Sequence, residues 1–269
     1  MARVATGAPA STPTHAGLTA AVLEHSRALG RALLDLLYPP ECPGCRRLGE
    51  LFCSQCRQQV RPYPLLGCPR CGKPALVREV CATCAASPSP LQAILPATVF
   101  AHPIRPAIHD FKYEGARDLA APLADWLDAA WRLHDLSADL IVPVPLHAQR
   151  ERERGYNQSA LLAQRLSAAV GVPVAPAELV RAVRTRPQVG LTQEQRRANI
   201  AGAFRCAGRV TDIRVVLVDD VCTTGSTLEA CAQELKAAGA AEVWGLTVAR
   251  PSHAASSALL PLDDPALPD

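Results

Sequence analysis

Lysine is nearly missing from this chain of 269 residues: Lys73, Lys112 and Lys236 are the only three, and arginine carries the rest of the positive charge. Beside abundant alanine and proline, that bias reflects genome composition more than function. Aromatic residues are sparse, and a net charge of +3 is too mild to establish a nucleic-acid partner by itself. A long unbroken apolar run is also missing. The nearest stretch, Leu18 to Leu37, is interrupted by Glu24, Arg27, Arg31 and Asp35, so no membrane insertion is expected. Residues 2–17 are rich in Ala, Thr and Pro and lack the apolar block of a secretory leader. A cytoplasmic, reducing setting is therefore the expectation, and clustered cysteines in that setting point to metal, not disulfides.

Cysteine is what the chain has in quantity: eleven residues, eight of them in four successive Cys-x-x-Cys knuckles. These are Cys42 and Cys45, Cys53 and Cys56, Cys68 and Cys71, and Cys81 and Cys84. Each knuckle has the bite that two thiolates need to grip one tetrahedral zinc, and two knuckles close a structural site without an open position. A segment so short and so rich in Pro, Gly and Arg builds no stable apolar core alone, so metal supplies its folding free energy. Two structural zinc ions are expected. Consecutive knuckles are expected to pair, Cys42, Cys45, Cys53 and Cys56 and then Cys68, Cys71, Cys81 and Cys84, although an interleaved pairing is chemically equal. A redox role would need a single Cys-x-x-Cys on a thioredoxin-like framework, which the pattern does not offer.

The expected organisation runs from a disordered tail (1–17) through a linking helix (18–40) and a cysteine-rich ribbon (41–86) to an α/β domain (91–250) and a second tail (251–269). In the α/β domain, strand patterns at Ile94 to Phe100, Leu140 to Val142, Val172 to Val174, Arg214 to Val218 and Val243 to Val248 alternate with helical ones. The helices are expected at Ile104 to Tyr113, Arg117 to His134, Gln158 to Val170 and Thr227 to Ala238. Such alternation implies a mainly parallel sheet with right-handed crossovers, and ligands of such sheets sit at the carboxyl ends of the strands.

Three stretches fall at that edge. Val215 to Val218 is an apolar run suited to a strand buried on both faces. Asp219 and Asp220 follow it, then the turn Thr223, Thr224, Gly225, Ser226 and Thr227, which opens a helix. Gly225 lets the backbone bend closely, and the hydroxyls and free N–H groups form a nest for a phosphate. The carboxylates suit sugar hydroxyls or water on Mg²⁺. Together these describe a ribose 5-phosphate site. The second stretch is the proline-stiffened turn Val142-Pro143-Val144-Pro145-Leu146-His147, running into Arg150, Arg152, Arg154 and Tyr156, whose guanidinium groups offer bidentate contacts to phosphate oxygens. The third is a long basic loop with Arg184, Arg186, Arg196 and Arg197, able to close over an anion.

Val215 to Thr227 resembles the phosphoribosyl-pyrophosphate (PRPP) signature of type I phosphoribosyltransferases. Pro143 to His147 followed by Arg154-Gly-Tyr-Asn-Gln-Ser, together with Lys112-Tyr-Glu-Gly115, the Arg186 to Phe204 stretch and the double zinc ribbon, resembles the ComF family of competence proteins. The resemblance implies a Rossmann-like, mainly parallel sheet of the type I phosphoribosyltransferase kind with a small amino-terminal zinc-ribbon domain. It implies that Thr223 to Thr227 hold the 5-phosphate and that Asp219 and Asp220 hold the ribose. The Val144 to His147 turn would face the pyrophosphate, and Arg196 and Arg197 would ride a hood over it.

Two functions from different classes follow. One is a PRPP-binding protein of DNA uptake, working on single-stranded DNA beside a helicase. Arg150, Arg152, Arg154, Arg184 and Arg186 would then track phosphates, Tyr156 would stack on a base, and Arg46, Arg47, Arg57 and Arg70 would contribute from the knuckles. The other is an active phosphoribosyltransferase, with Mg²⁺ on the PRPP and an unidentified nucleobase or amine acceptor. A nucleotide sensor that keeps the site without turnover lies between them.

Overall fold

The computed structural model describes residues 39–86, 89–183, 200 and 202–252. The linking helix, both tails and Arg184, Arg186, Arg196 and Arg197 of the basic loop lie outside the described residues, except for Pro39, Pro40, Pro251 and Ser252 at their inner margins.

Four parallel strands form the main sheet: β1 (Ile94–Val99), β2 (Leu140–Pro143), β5 (Arg214–Val221) and β6 (Glu242–Arg250), in the order β1-β6-β5-β2. Two short strands, β3 (Leu179–Arg181) and β4 (Phe204–Cys206), pair antiparallel outside it. The helices are α1 (Ser54–Gln59), α2 (Ala82–Ala86), α3 (Ile104–Tyr113), α4 (Ala120–Leu133), α5 (Ala148–Arg154), α6 (Gln158–Val170) and α7 (Ser226–Ala237).

The period-two rule explains why the β5 run is unbroken. Val216 and Val218 join the apolar cluster beneath α3, α4 and α6, whereas Val215 and Leu217 join the opposite cluster beneath α7, so both faces of the strand are dry. The strand runs farther than the apolar run suggests, to Val221, so Asp219 and Asp220 lie within its carboxyl end rather than after it. Arg117 to His134 divides into a 3-10 turn at Arg117–Leu119 and then α4. Pro122, lacking an N–H, is tolerated only in a first helical turn, which bounds the start of α4. Val172 to Val174 is not a full strand: Val174 makes a single parallel bridge to Ile141.

The cysteine-rich segment leans on this sheet. Between the two ribbons the chain passes along the outer side of β1, where Tyr63 N–H donates to Ala97 O (3.0 Å), Val99 N–H donates to Arg61 O (2.9 Å) and Pro62 faces Thr98. No helix among the described residues is long and apolar enough to cross a membrane.

Candidate functional site

Because β2 and β5 are neighbours, their carboxyl ends deliver the proline turn and the carboxylate pair side by side, and Val144 N–H donates to Val218 O (2.9 Å). Asn157 fastens the far end of that turn. Its Nδ2 donates to Val144 O (3.1 Å), while its Oδ1 accepts the Ser159 and Ala160 N–H groups and caps α6. A cleft of about 190 Å³ opens between these elements, lined by Val144, Pro145, Arg150, Arg154, Asp219, Asp220 and Thr227 of the expected residues.

The same cleft holds residues that sequence reasoning did not assign to a site. Lys112 Nζ, from α3, lies 3.0 Å from Asp220 Oδ2. Ser159 Oγ donates to Asp219 Oδ1 (2.8 Å), an oxygen that also accepts the Asp220 N–H (2.9 Å). Arg181, on β3, faces the cleft and lies over the Phe204 ring at 5.5 Å. Lys112 carried a signal, since it stands in a quoted motif, but Arg181 sits in a three-residue strand that no periodicity announces.

Charge and burial set the electrostatics. Burial, and then the adjacent Asp220 carboxylate, push Asp219 up to about 7. Burial alone would lower Lys112, yet the Asp220 carboxylate holds it above its ordinary value. Burial, and then the Arg150 guanidinium, pull Arg181 below its ordinary value.

Beyond β5, Cys222 N–H donates to Ala249 O (3.0 Å), and the chain turns through Thr223 and Thr224 to Gly225 at φ 88°. A Cβ at Gly225 would stand 2.7 Å from Ile94 Cδ1, so both the left-handed backbone and the close approach call for glycine. Thr224 Oγ1 lies 2.9 Å from Ser226 Oγ and accepts the Ser226 N–H (3.4 Å), which rims the amino end of α7 with hydroxyls. The positive end of that helix is where an anion is stabilised.

Several assigned residues do something else. His147 caps α5, its Nδ1 accepting the Gln149 N–H (3.2 Å), and it does not line the cleft. Arg152 is exposed and outside it. Tyr156 is buried and donates its hydroxyl to Phe111 O, with Arg117 over its ring at 4.7 Å, so it has no face for a base. The knuckle arginines hold local partners: Arg46 with Glu41 and Asp110, Arg47 with Gln55, Arg57 with Asp125 and Arg70 with Cys84 O.

The cysteines gather in consecutive pairs. The sulfurs of Cys42, Cys45, Cys53 and Cys56 lie within 4.8 Å of one another, as do those of Cys68, Cys71, Cys81 and Cys84. Burial would push the Cys42 thiol up, but N–H groups of Cys53, Cys45 and Gly44 outweigh it and bring the thiol down to about 7. Those of Cys71, Cys81 and Arg70 bring Cys68 down to about 6 against the same opposition. Four converging sulfurs with thiolate-favouring amides fit a structural zinc at each cluster, where the metal ties the knuckles together and supplies folding free energy.

Residues 33–85 match the family described as Double zinc ribbon domain, and residues 156–257 match that described as Phosphoribosyl transferase domain. The chain is 37% identical over 223 residues to the DNA utilization protein YhgH of Escherichia coli, spanning 78% of this chain and 98% of that protein. It is 34% identical over 206 residues to Competence protein F of Haemophilus influenzae, spanning 72% and 89%. With Competence protein ComFC of Bacillus subtilis it shares 27% identity over 209 residues, spanning 75% and 85%.

Proposed function

The chain belongs to the ComF family of competence and DNA-utilization proteins, and from that premise we propose that it binds PRPP or another ribose 5-phosphate ligand while acting in natural competence and DNA uptake. One observation carries the reading: the hydroxyl-rimmed start of α7 and the Asp219–Asp220 pair belong to one strand–turn–helix beside a cleft that Lys112, Arg150, Arg154 and Arg181 also line. A phosphate at the helix start, a ribose on the carboxylates and further phosphate on the guanidinium groups is the arrangement that this supports.

Single-stranded DNA is the macromolecular ligand of the proposal, and a competence helicase in the cytoplasm is its partner. Arg150 and Arg154, which line the cleft, and the exposed Arg152 between them would supply phosphate contacts from the described residues. Arg184, Arg186, Arg196 and Arg197 would extend them from outside the described residues. A second reading, an active phosphoribosyltransferase using PRPP with Mg²⁺ on a nucleobase or amine acceptor, is favoured by Asp219, since a carboxyl near 7 is poised to exchange a proton at neutral pH.

Thermal stabilisation by PRPP or ribose 5-phosphate tests the binding site. Ligand at about 100 times its Kd should stabilise the wild type by about 2.7 kcal/mol and the Asp219→Asn/Asp220→Asn variant far less. Absence of any shift in the wild type would remove the ribose 5-phosphate reading. For DNA, log affinity against log salt should have a slope that becomes shallower by about one half to one unit when Arg150 is replaced by Ala. An unchanged slope would remove Arg150 from the phosphate contacts.

A further inference from the structure

Lys112 does not belong to the phosphate loop, the proline turn or the basic loop, yet it makes a close charged contact in the cleft. Its ammonium lies 3.0 Å from Asp220 Oδ2, on a carboxylate only 4% exposed. Asp220 Oδ1 accepts the Val221 N–H (2.6 Å), and Asp219 Oδ1 accepts Ser159 Oγ and the Asp220 N–H. Two of the four carboxylate oxygens therefore already accept hydrogen bonds, and a third, the buried Asp220 Oδ2, is held by the Lys112 ion pair alone. Mg²⁺ needs near-octahedral oxygen ligands at about 2.0–2.1 Å and gives up its waters reluctantly. To reach Asp220 Oδ2 it would have to expel the ammonium and leave that charge without a partner.

The balance of charge points the same way. Among the described residues Lys112, Arg150, Arg154 and Arg181 line the cleft with two carboxylates, so that lining is net positive. A cage for a divalent cation needs the reverse, an excess of free oxygen ligands. A sugar phosphate needs what is present: cations for the phosphate, and carboxylate oxygens oriented by fixed donors to accept from hydroxyl groups.

We infer that Lys112 is the resident counter-cation of the carboxylate pair, and that the cleft binds its phosphoribosyl ligand without a protein-held Mg²⁺. The inference rests on the ribose 5-phosphate reading and deepens it. Lys112 orients Asp220 toward the ribose and removes the charge repulsion between that carboxylate and the incoming phosphate. It is a positioning residue, and it makes binding of the sugar phosphate independent of added magnesium.

The test uses the zinc-loaded full chain, titrated calorimetrically with ribose 5-phosphate. One buffer is freed of divalent cations by resin before the protein is added, which leaves the zinc in place, and the other contains added Mg²⁺. Wild-type affinities in the two buffers are expected to agree within about threefold. Lys112→Met should lose about tenfold or more in the cation-free buffer and recover when Mg²⁺ is added, because the vacated carboxylate then accepts the metal. Lys112→Arg, which keeps the charge, should bind in both buffers. Circular dichroism establishes that each variant is folded, and if Lys112→Met is not, the wild-type and Lys112→Arg titrations decide. Wild-type binding that requires Mg²⁺ overturns this inference and leaves the ribose 5-phosphate reading standing. A folded Lys112→Met that binds as well as wild type without Mg²⁺ also overturns it alone. A wild type that binds in neither buffer overturns both.

Discussion

Cys42, Cys53 and Cys56 of the first ribbon sit in the same apolar cluster as Ile108, Leu123 and Leu127, with Phe52 and Val60 beside them. In the second ribbon only Cys68 is buried; Cys71, Cys81 and Cys84 are half-buried, and Leu76, at 95% exposure, and Val77 face outward. Backbone and one arginine anchor this ribbon instead. Ile94 N–H donates to Arg70 O (2.8 Å), and Arg250, itself buried, donates to Cys71 O. Two sites of equal ligand chemistry thus depend on their metal to different degrees. The first shares its stability with the helices, and the second draws it from zinc and a few hydrogen bonds.

Cys56→Ser should have the largest effect. It removes a ligand that is 1% exposed and leaves a hydroxyl in an apolar cluster, at a cost of about 4 kcal/mol and about 10 °C in Tm, with loss of one zinc per chain by elemental analysis. Cys84→Ser should lose the other zinc at about half that cost, near 2 kcal/mol, and hydrogen exchange should open across residues 62–86 while the sheet stays protected. Equal melting shifts in the two variants would erase the distinction between the ribbons.

Arg250→Lys comes next, at about 1 kcal/mol, because an ammonium lacks the guanidinium fork that reaches the Cys71 carbonyl. Zinc transfer to a chromophoric chelator should quicken from one site of the two, and quickening at both would mean that the clamp is not local. Arg57→Ala sharpens the contrast from the other side. Its ion pair with Asp125 is exposed (40% and 61% at the side chains), so its loss should cost no more than about 0.5 kcal/mol and leave both metals bound. A larger loss would mean that surface charge, and not apolar burial, seats the first ribbon on α4.

The contrast between ribbons was not legible in the sequence, where four knuckles of identical spacing read alike and left their pairing open. Spacing reports ligand chemistry; which thiols end up among leucines depends on where the sheet and helices fold. The β5 strand, by contrast, was legible, because Val215 to Val218 must satisfy two dry faces at once. So was the turn through Gly225, which requires a positive φ. The Arg150 to Arg154 stretch read as the continuation of the proline turn but forms α5, since His147 and Gly155 at its ends act as caps only once the chain turns there. The β3–β4 pair went unforeseen because three residues carry too little pattern. Arg181 reaches the cleft only through that pairing and could not be assigned from local sequence, whereas Lys112 stood in a motif but gained its role only where the end of α3 meets Asp220.

The two flanks of the sheet have a consequence for assembly. Beyond β1 the Arg61 to Tyr63 backbone takes up the outward hydrogen bonds, with Pro62 in the middle; beyond β2, Pro173 O and Ala175 N–H do the same for Ile141. At the β1 margin Pro62 offers no donor to a further strand, so that edge ends in chain that discourages lateral growth of the sheet by a second molecule. The connector between the ribbons is thereby also a guard against edge-to-edge aggregation. At that edge a partner would have to engage side chains, because the outward ladder of β1 is already taken up.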